Sequence, residues 1–181
     1  MTGMFRDVEN LRFNALRNAL YHTARRRFFE LWNRIFNFAV VMLGAAAVGD
    51  LLSKYGIDQV PVGVAVAAVG AAQLVFDFGR SARDHQSLQR DYYNLLADIE
   101  QTVDPSDDKC AEWQAKMIRF AADEPPTYRA VDAKAYNDAA GALELDKGQF
   151  LRIPWWHLLL QWVWTFNGHG YKKSFQGMRQ Q

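Results

Sequence analysis

The reading of this chain turns on two uncharged runs, Ile35-Phe-Asn-Phe-Ala-Val-Val-Met-Leu-Gly-Ala-Ala-Ala-Val-Gly49 and Gln59-Val-Pro-Val-Gly-Val-Ala-Val-Ala-Ala-Val-Gly-Ala-Ala-Gln-Leu-Val-Phe76. They hold 15 and 18 residues between flanking charges. At about 1.5 Å per residue, the second run reaches roughly 27 Å as a helix, close to the hydrocarbon thickness of a bilayer. The first is short by that measure, but Leu51 and Leu52 extend it and Asp50 would sit among headgroups. The turn Ser53-Lys54-Tyr55-Gly56-Ile57-Asp58 contains the Gly of a helix stop. Asp58 or Gln59 can cap the next helix, and Pro61 suits its first turn. The expected fold is all-α, centred on a transmembrane hairpin at 35–77, with spans 35–52 and 60–77.

A buried hairpin in a soluble domain is the competing reading, and the richness of both runs in Ala and Gly favours it. The flanking charges favour the membrane. Arg25, Arg26, Arg27 and Arg34 precede the first run and Arg80, Arg83 and Arg90 follow the second, whereas the turn holds only Lys54. Such sorting is expected when both termini stay in the cytoplasm.

Outward from the hairpin, residues 1–34 read as a cytoplasmic helix with apolar residues at Phe13, Leu16, Leu20, Ala24, Phe28, Leu31 and Ile35. The steps of three and four make one stripe. A stalk helix at 78–103 repeats the pattern at Leu88, Tyr92, Leu95, Ile99 and Val103. Pairing across the turn sets Val8 against Val103, Phe13 against Ile99, Leu16 against Leu95 and Leu20 against Tyr92, an antiparallel coiled stalk. Arms that splay apart and pack elsewhere are the alternative.

The same register sets Arg34 against Asp77 as an ion pair, and Asn37 near Gln73. Those two amides would bond to each other or line a wet path in an oligomer. Phe36, Phe38, Phe76 and Phe78 would form an apolar constriction or simply pack. Small residues at Ala45, Gly49, Gly63, Ala67 and Ala71 fit either the hairpin's own seam or contact between chains.

Residues 104–181 form a C-terminal helical region. Helices are expected over 110–122 and 128–145, the second capped by Thr127. The segment 153–166 places four of the chain's six Trp within ten residues and is too short to span. His157, Gln161 and Thr165 would make one polar stripe on it. Trp155, Trp156, Trp162 and Trp164, with Lys172 and Lys173 after them, suit a helix lying at the membrane surface. Packing against the stalk is the alternative.

A net charge of +1 argues against a nucleic-acid partner. Lone Cys110 excludes an internal disulfide and a Cys-based zinc site. Thirty-four mostly polar residues precede the first run, so an uncleaved anchor is expected rather than a signal peptide. The four histidines, 22, 85, 157 and 169, lack zinc-protease spacing. His85, beside Arg83 and Asp84, reads as a solvated or capping residue. No catalytic, cofactor or metal site is expected, and a lipid-acting enzyme would have only His157 to build on.

The approach Ala24-Arg-Arg-Arg-Phe-Phe, the segment Ser81-Ala-Arg-Asp-His-Gln-Ser-Leu through Tyr92-Tyr-Asn-Leu-Leu, and Asp123-Glu-Pro-Pro-Thr-Tyr-Arg together resemble the SLATT-domain family. The resemblance implies a two-transmembrane effector of bacterial conflict systems, in the inner membrane, forming homo-oligomeric pores for antiviral defence. It carries no catalytic residues over. No nucleotide-sensing domain like that of fused members is expected in this chain, so activation would come from a separately encoded nucleotide-sensing or nucleotide-synthesising protein or from oligomerisation. A passive membrane scaffold that recruits cytosolic partners fits the same residues.

Overall fold

The computed structural model describes residues 2–48, 56 and 59–174. The chain is all-helical: α1 (Thr2–Val48), α2 (Gln59–Phe76), α3 (Phe78–Glu100), α4 (Asp107–Ala122), α5 (Arg129–Ala142), a 3-10 turn (Lys147–Gln149) and α6 (Trp155–Leu160). Among the described residues the only β-type pairing is an isolated bridge between Leu151 and Lys173. The chain divides into two compact units, Met1–Arg25 with His85–Gln181, and Arg26–Asp84.

The first unit is built around the start of α1, which has to be covered on two faces. Leu11, Ala15 and Ala19 meet Tyr92, Leu95 and Ile99 of α3, and Cys110, Trp113 and Met117 of α4 close that core. Ser106 starts α4 by accepting a hydrogen bond from Lys109 N at 3.2 Å, beside Asp107 and Asp108 in its first turn. On the other face, Leu20, Tyr21 and Ala24 pack with Val131 and Ala135 of α5, with Tyr128 just before it and with Trp162. Helix α5 can lie close because Ala130, Ala133, Ala135, Ala139 and Ala140 are all buried. Asn137 then pins the returning chain, donating to Leu151 O at 2.9 Å and accepting from Leu151 N at 2.7 Å.

This arrangement corrects the expected pairing. The α3 stripe Leu88, Tyr92, Leu95 and Ile99 is buried, but Val103 is 99% exposed beyond the helix end. Residues of α1 and α3 meet in antiparallel order, yet the α1 face on that seam is Leu11, Ala15 and Ala19, not Phe13, Leu16 and Leu20. Phe13 instead meets Tyr136 edge-on at 4.9 Å, and Leu20 belongs to the α5 side. Thr127 does not cap α5; Tyr128 holds that position, and its N–H donates to Tyr21 Oη at 3.0 Å.

In the second unit, the half-buried residues of α2 are Val62, Ala65, Val66, Val69, Ala72 and Gln73, spaced as one seam. Phe29, Asn33, Phe36, Val40 and Leu43 form the matching half-buried line on α1. Gln73 Nε2 donates to Asn37 Oδ1 at 2.6 Å. Gly79 lies against Asn33, where a Cβ would make an ordinary contact 3.4 Å from Asn33 Oδ1. Helix α2 stops at Asp77, which adopts a left-handed φ of 37° and caps α3 by accepting from Arg80 N at 3.0 Å. The expected Arg34–Asp77 ion pair does not form among the described residues; Asp77 serves as a cap instead. One candidate membrane span, within Val60–Glu100, is found among the described residues, and none of its apolar window is buried. Of the expected first span, residues 49–52 lie outside the described residues, as do 53–55, 57 and 58 of the turn.

Overpacking the α1–α3 seam should be costly where small residues are enclosed. Ala15→Leu is expected to destabilise the first unit by about 1–3 kcal/mol, whereas Val103→Ala stays within about 0.5 kcal/mol. Urea unfolding of the full chain, followed by Trp fluorescence, measures both.

Candidate functional site: a buried histidine pair and its carboxylate

Helix spacing brings chemistry to the upper end of the α1–α3 seam. His22 continues the line Leu11, Ala15, Ala19 on α1, and His85 lies between Ala82 and Leu88 on α3. Both rings are buried, 0% and 2% exposed, which overturns the solvated reading of His85. Their Nδ1 atoms are 2.8 Å apart. His22 Nε2 lies 3.2 Å from Glu124 Oε1, which also accepts from Tyr92 Oη at 2.5 Å. His22 stacks on the Tyr92 ring at 5.7 Å.

The loop between α4 and α5 supplies the carboxylate. Asp123 N and Glu124 N bond back to Phe120 O and Ala121 O, ending α4, and Pro125-Pro126 prevent its continuation. Tyr128 is then held from two sides, by Tyr21 and by Arg25, whose guanidinium lies 3.8 Å over its ring. Arg25 Nη1 also donates to Trp162 O at 3.3 Å. Alongside, Arg17 forks onto Asp132, with Nε donating to Oδ1 at 2.8 Å and Nη2 to Oδ2. A cavity of about 270 Å³, lined by Asn18, Tyr21, Glu124, Arg129 and Asp132, gives water a path to Glu124.

Burial controls the titrations. It pushes His85 down to about 3, reinforced by His22 and Arg25. It pushes the Tyr21 and Tyr92 hydroxyls up, with the Glu124 bond adding to the effect at Tyr92. For Glu124, burial raises the carboxyl, but hydrogen bonds from His22 and Tyr92 and attraction to the histidines outweigh it, so the net direction is downward. The cluster sets a carboxylate beside two buried imidazole rings; among the described residues no group of three ligating side chains could hold a metal ion.

The residues singled out from sequence fall elsewhere. In the second unit, Phe36, Phe76 and Phe78 form a ring cluster, with Phe36–Phe78 at 5.1 Å and Phe76–Phe78 at 5.6 Å. Phe38 stands apart at 67% exposure. In the first unit, the segment 153–166 is not one helix: α6 spans six residues and turns follow. Its expected polar stripe is folded inward, with His157 1% exposed, stacked on Phe166 at 3.9 Å and bonded to Tyr171 Oη at 2.6 Å. Burial, then the His169 charge, pushes His157 down, and its enclosure removes it as an interfacial base. Trp155, Trp156 and Trp164 face out, whereas Trp162 packs inward. Lys172 is exposed, and Lys173 donates to Gln149 Oε1 at 2.5 Å.

Sequence reasoning missed the His22–His85–Glu124–Tyr92 cluster. The available signal was two histidines at seam spacing on helices expected to pair, with Glu124 in the Glu-Pro-Pro segment as the acceptor. No family model, no curated protein and no solved structure matches this chain.

Removing the shared acceptor leaves two buried donors unpaired. Glu124→Ala is expected to cost about 2–3 kcal/mol, and Glu124→Gln less, because the amide oxygen still accepts. Urea midpoints of both variants at neutral pH provide the check.

Proposed function

We propose that the chain is a membrane-anchored, non-catalytic effector of bacterial defence that oligomerises and permeabilises the inner membrane, with both termini cytoplasmic. The observation that carries the anchoring is the outward apolar surface of the second unit. Val60, Val64, Leu74, Val75, Phe38 and Val41 are 65–83% exposed, and the apolar window of α2 has no buried residue. Side chains of this kind cost about 25 cal/mol per Å² when left in water, so lipid is the solvent that suits them. In lipid the Asn37–Gln73 bond satisfies the amides that would otherwise be costly.

Self-association is supported by what α2 leaves uncovered. Gly63, Ala67 and Ala71 are exposed, and a Cβ at Gly63 or Gly70 would meet nothing within 4 Å. Small residues at this spacing let apolar helices approach in lipid. The defence role, and activation by a separately encoded nucleotide-sensing or nucleotide-synthesising protein, rest on the SLATT resemblance alone.

A scaffold is the second reading, and the outward Trp155, Trp156, Leu159, Val163 and Trp164 favour it, since a recruiting surface needs such residues. Induced expression in bacteria with a membrane-potential dye separates the two. The effector collapses the potential, and Gly63→Ile with Ala67→Ile restores it several-fold or more. A scaffold leaves the potential intact while the protein stays with the membrane. Release of the chain by alkaline carbonate overturns the anchor itself.

A further inference from the structure

We propose that His22, His85 and Glu124 form a proton-released clasp that fastens the first unit where the chain leaves it at Arg25 and returns at His85. The argument is a count of protons. Glu124 carboxylate only accepts, so His22 Nε2, 3.2 Å away, carries a hydrogen. The two Nδ1 atoms, 2.8 Å apart, share one hydrogen, because one must donate and the other accept. Four ring nitrogens therefore hold at most three protons while the contact lasts. The third makes one imidazolium, which Glu124 can balance. A fourth would set two cations nose to nose, and the contact must break.

Of the charged groups described as facing the pair, Glu124 is an anion and already balances the third proton, whereas Arg25 opposes a fourth. From α1, Tyr21 and Arg25 face the pair; Arg25 is itself a cation and only 4% exposed. Tyr92 faces it from α3 and Glu124 from the α4–α5 loop. Both tyrosines stay neutral, and Asp132 is occupied by Arg17. Glu124, with its side chain 19% exposed, connects the rings to the water-accessible cavity. His85 is held neutral to about 3 in the closed form, against an ordinary imidazole value of 6.5. The open form therefore binds more protons across that interval, so the clasp is fully effective above about 6.5 and is lost as pH falls toward about 3. Its loss frees α1, α3 and the Glu124 loop from one another at the point where residues 26–84 begin and end. The inference depends on the first unit alone and stands or falls independently of the membrane reading.

Hydrogen exchange on the full chain in mild detergent, from about pH 7.5 to about 3.5 and corrected for intrinsic rates, tests it. Peptides covering 16–25, 85–95 and 123–128 should lose protection together, opening about tenfold more per pH unit below about 6.5, where the open form carries the proton that the closed form excludes. In His85→Gln, whose amide can still bond to His22 but cannot charge, that slope should flatten. An unchanged slope in His85→Gln, or a wild-type protein with no slope, overturns the clasp. Should the variant fail to fold, nitrogen-15 histidine spectra of the wild type decide. His85 staying neutral until protection is lost supports the clasp, and two rings titrating near 6.5 with protection intact refute it.

Discussion

A 47-residue unbroken helix has to be covered along whatever length sits in water, and the first unit is arranged to do that for the start of α1. One helix face takes α3 and α4, the opposite face takes α5 and Trp162, and alanines on both sides set the spacing. Where that cover ends, the buried groups become polar: His22, His85 and Arg25. Burying these costs free energy unless each finds partners, so the loop carrying Glu124 and Tyr128 is as necessary to the packing as the helices are.

The second unit follows a different rule. Its half-buried seam includes Phe29, Phe36 and Leu43, but many of its large apolar side chains, Phe38, Val41, Leu74 and Val75 among them, are exposed. Leu74, Val75 and Phe76 are 61–83% exposed, and it is on such side chains that the proposed anchoring rests. The stop at Asp77 fits the same picture: a left-handed residue ends the uncharged helix and its carboxylate immediately starts a charged one, α3.

Much of the helix layout was legible because Pro, Gly and charge punctuate it. The stripe on α3 was legible because Leu88, Tyr92, Leu95 and Ile99 are large. The matching face of α1 was not, because its seam residues are Ala15, Ala19 and His22, which hydropathy ranks below Phe13, Leu16 and Leu20. Close approach of α3 selects the small side chains of α1 for that interface, while Phe13 and Leu20 turn to the α5 side, where α5 supplies the alanines. The segment 153–166 misled for a related reason. Four-residue spacing implies one face only if the helix continues, and α6 ends at Leu160, so Gln161 and Thr165 are placed by the turn and loop after it and not by the helix that holds His157. The histidine cluster needed three segments far apart in sequence, which no local pattern reports.

A seam lined by alanines has a weakness that the cluster answers. On the α1 side only Ala15 and Ala19 stand between Leu11 and His22, so shape fixes the register there less firmly than large side chains would. Directional bonds differ. A one-turn slip would separate the two Nδ1 atoms, leave Glu124 without its His22 donor and bury unpaired groups. Each such group costs about 1–3 kcal/mol, enough to select one register over its neighbours. Buried polar groups in paired helices are best attested in this role, where they trade some stability for a single alignment. That same dependence on hydrogen placement is what makes the pair answer to protons: a contact that fixes register through a shared hydrogen cannot survive the arrival of one too many.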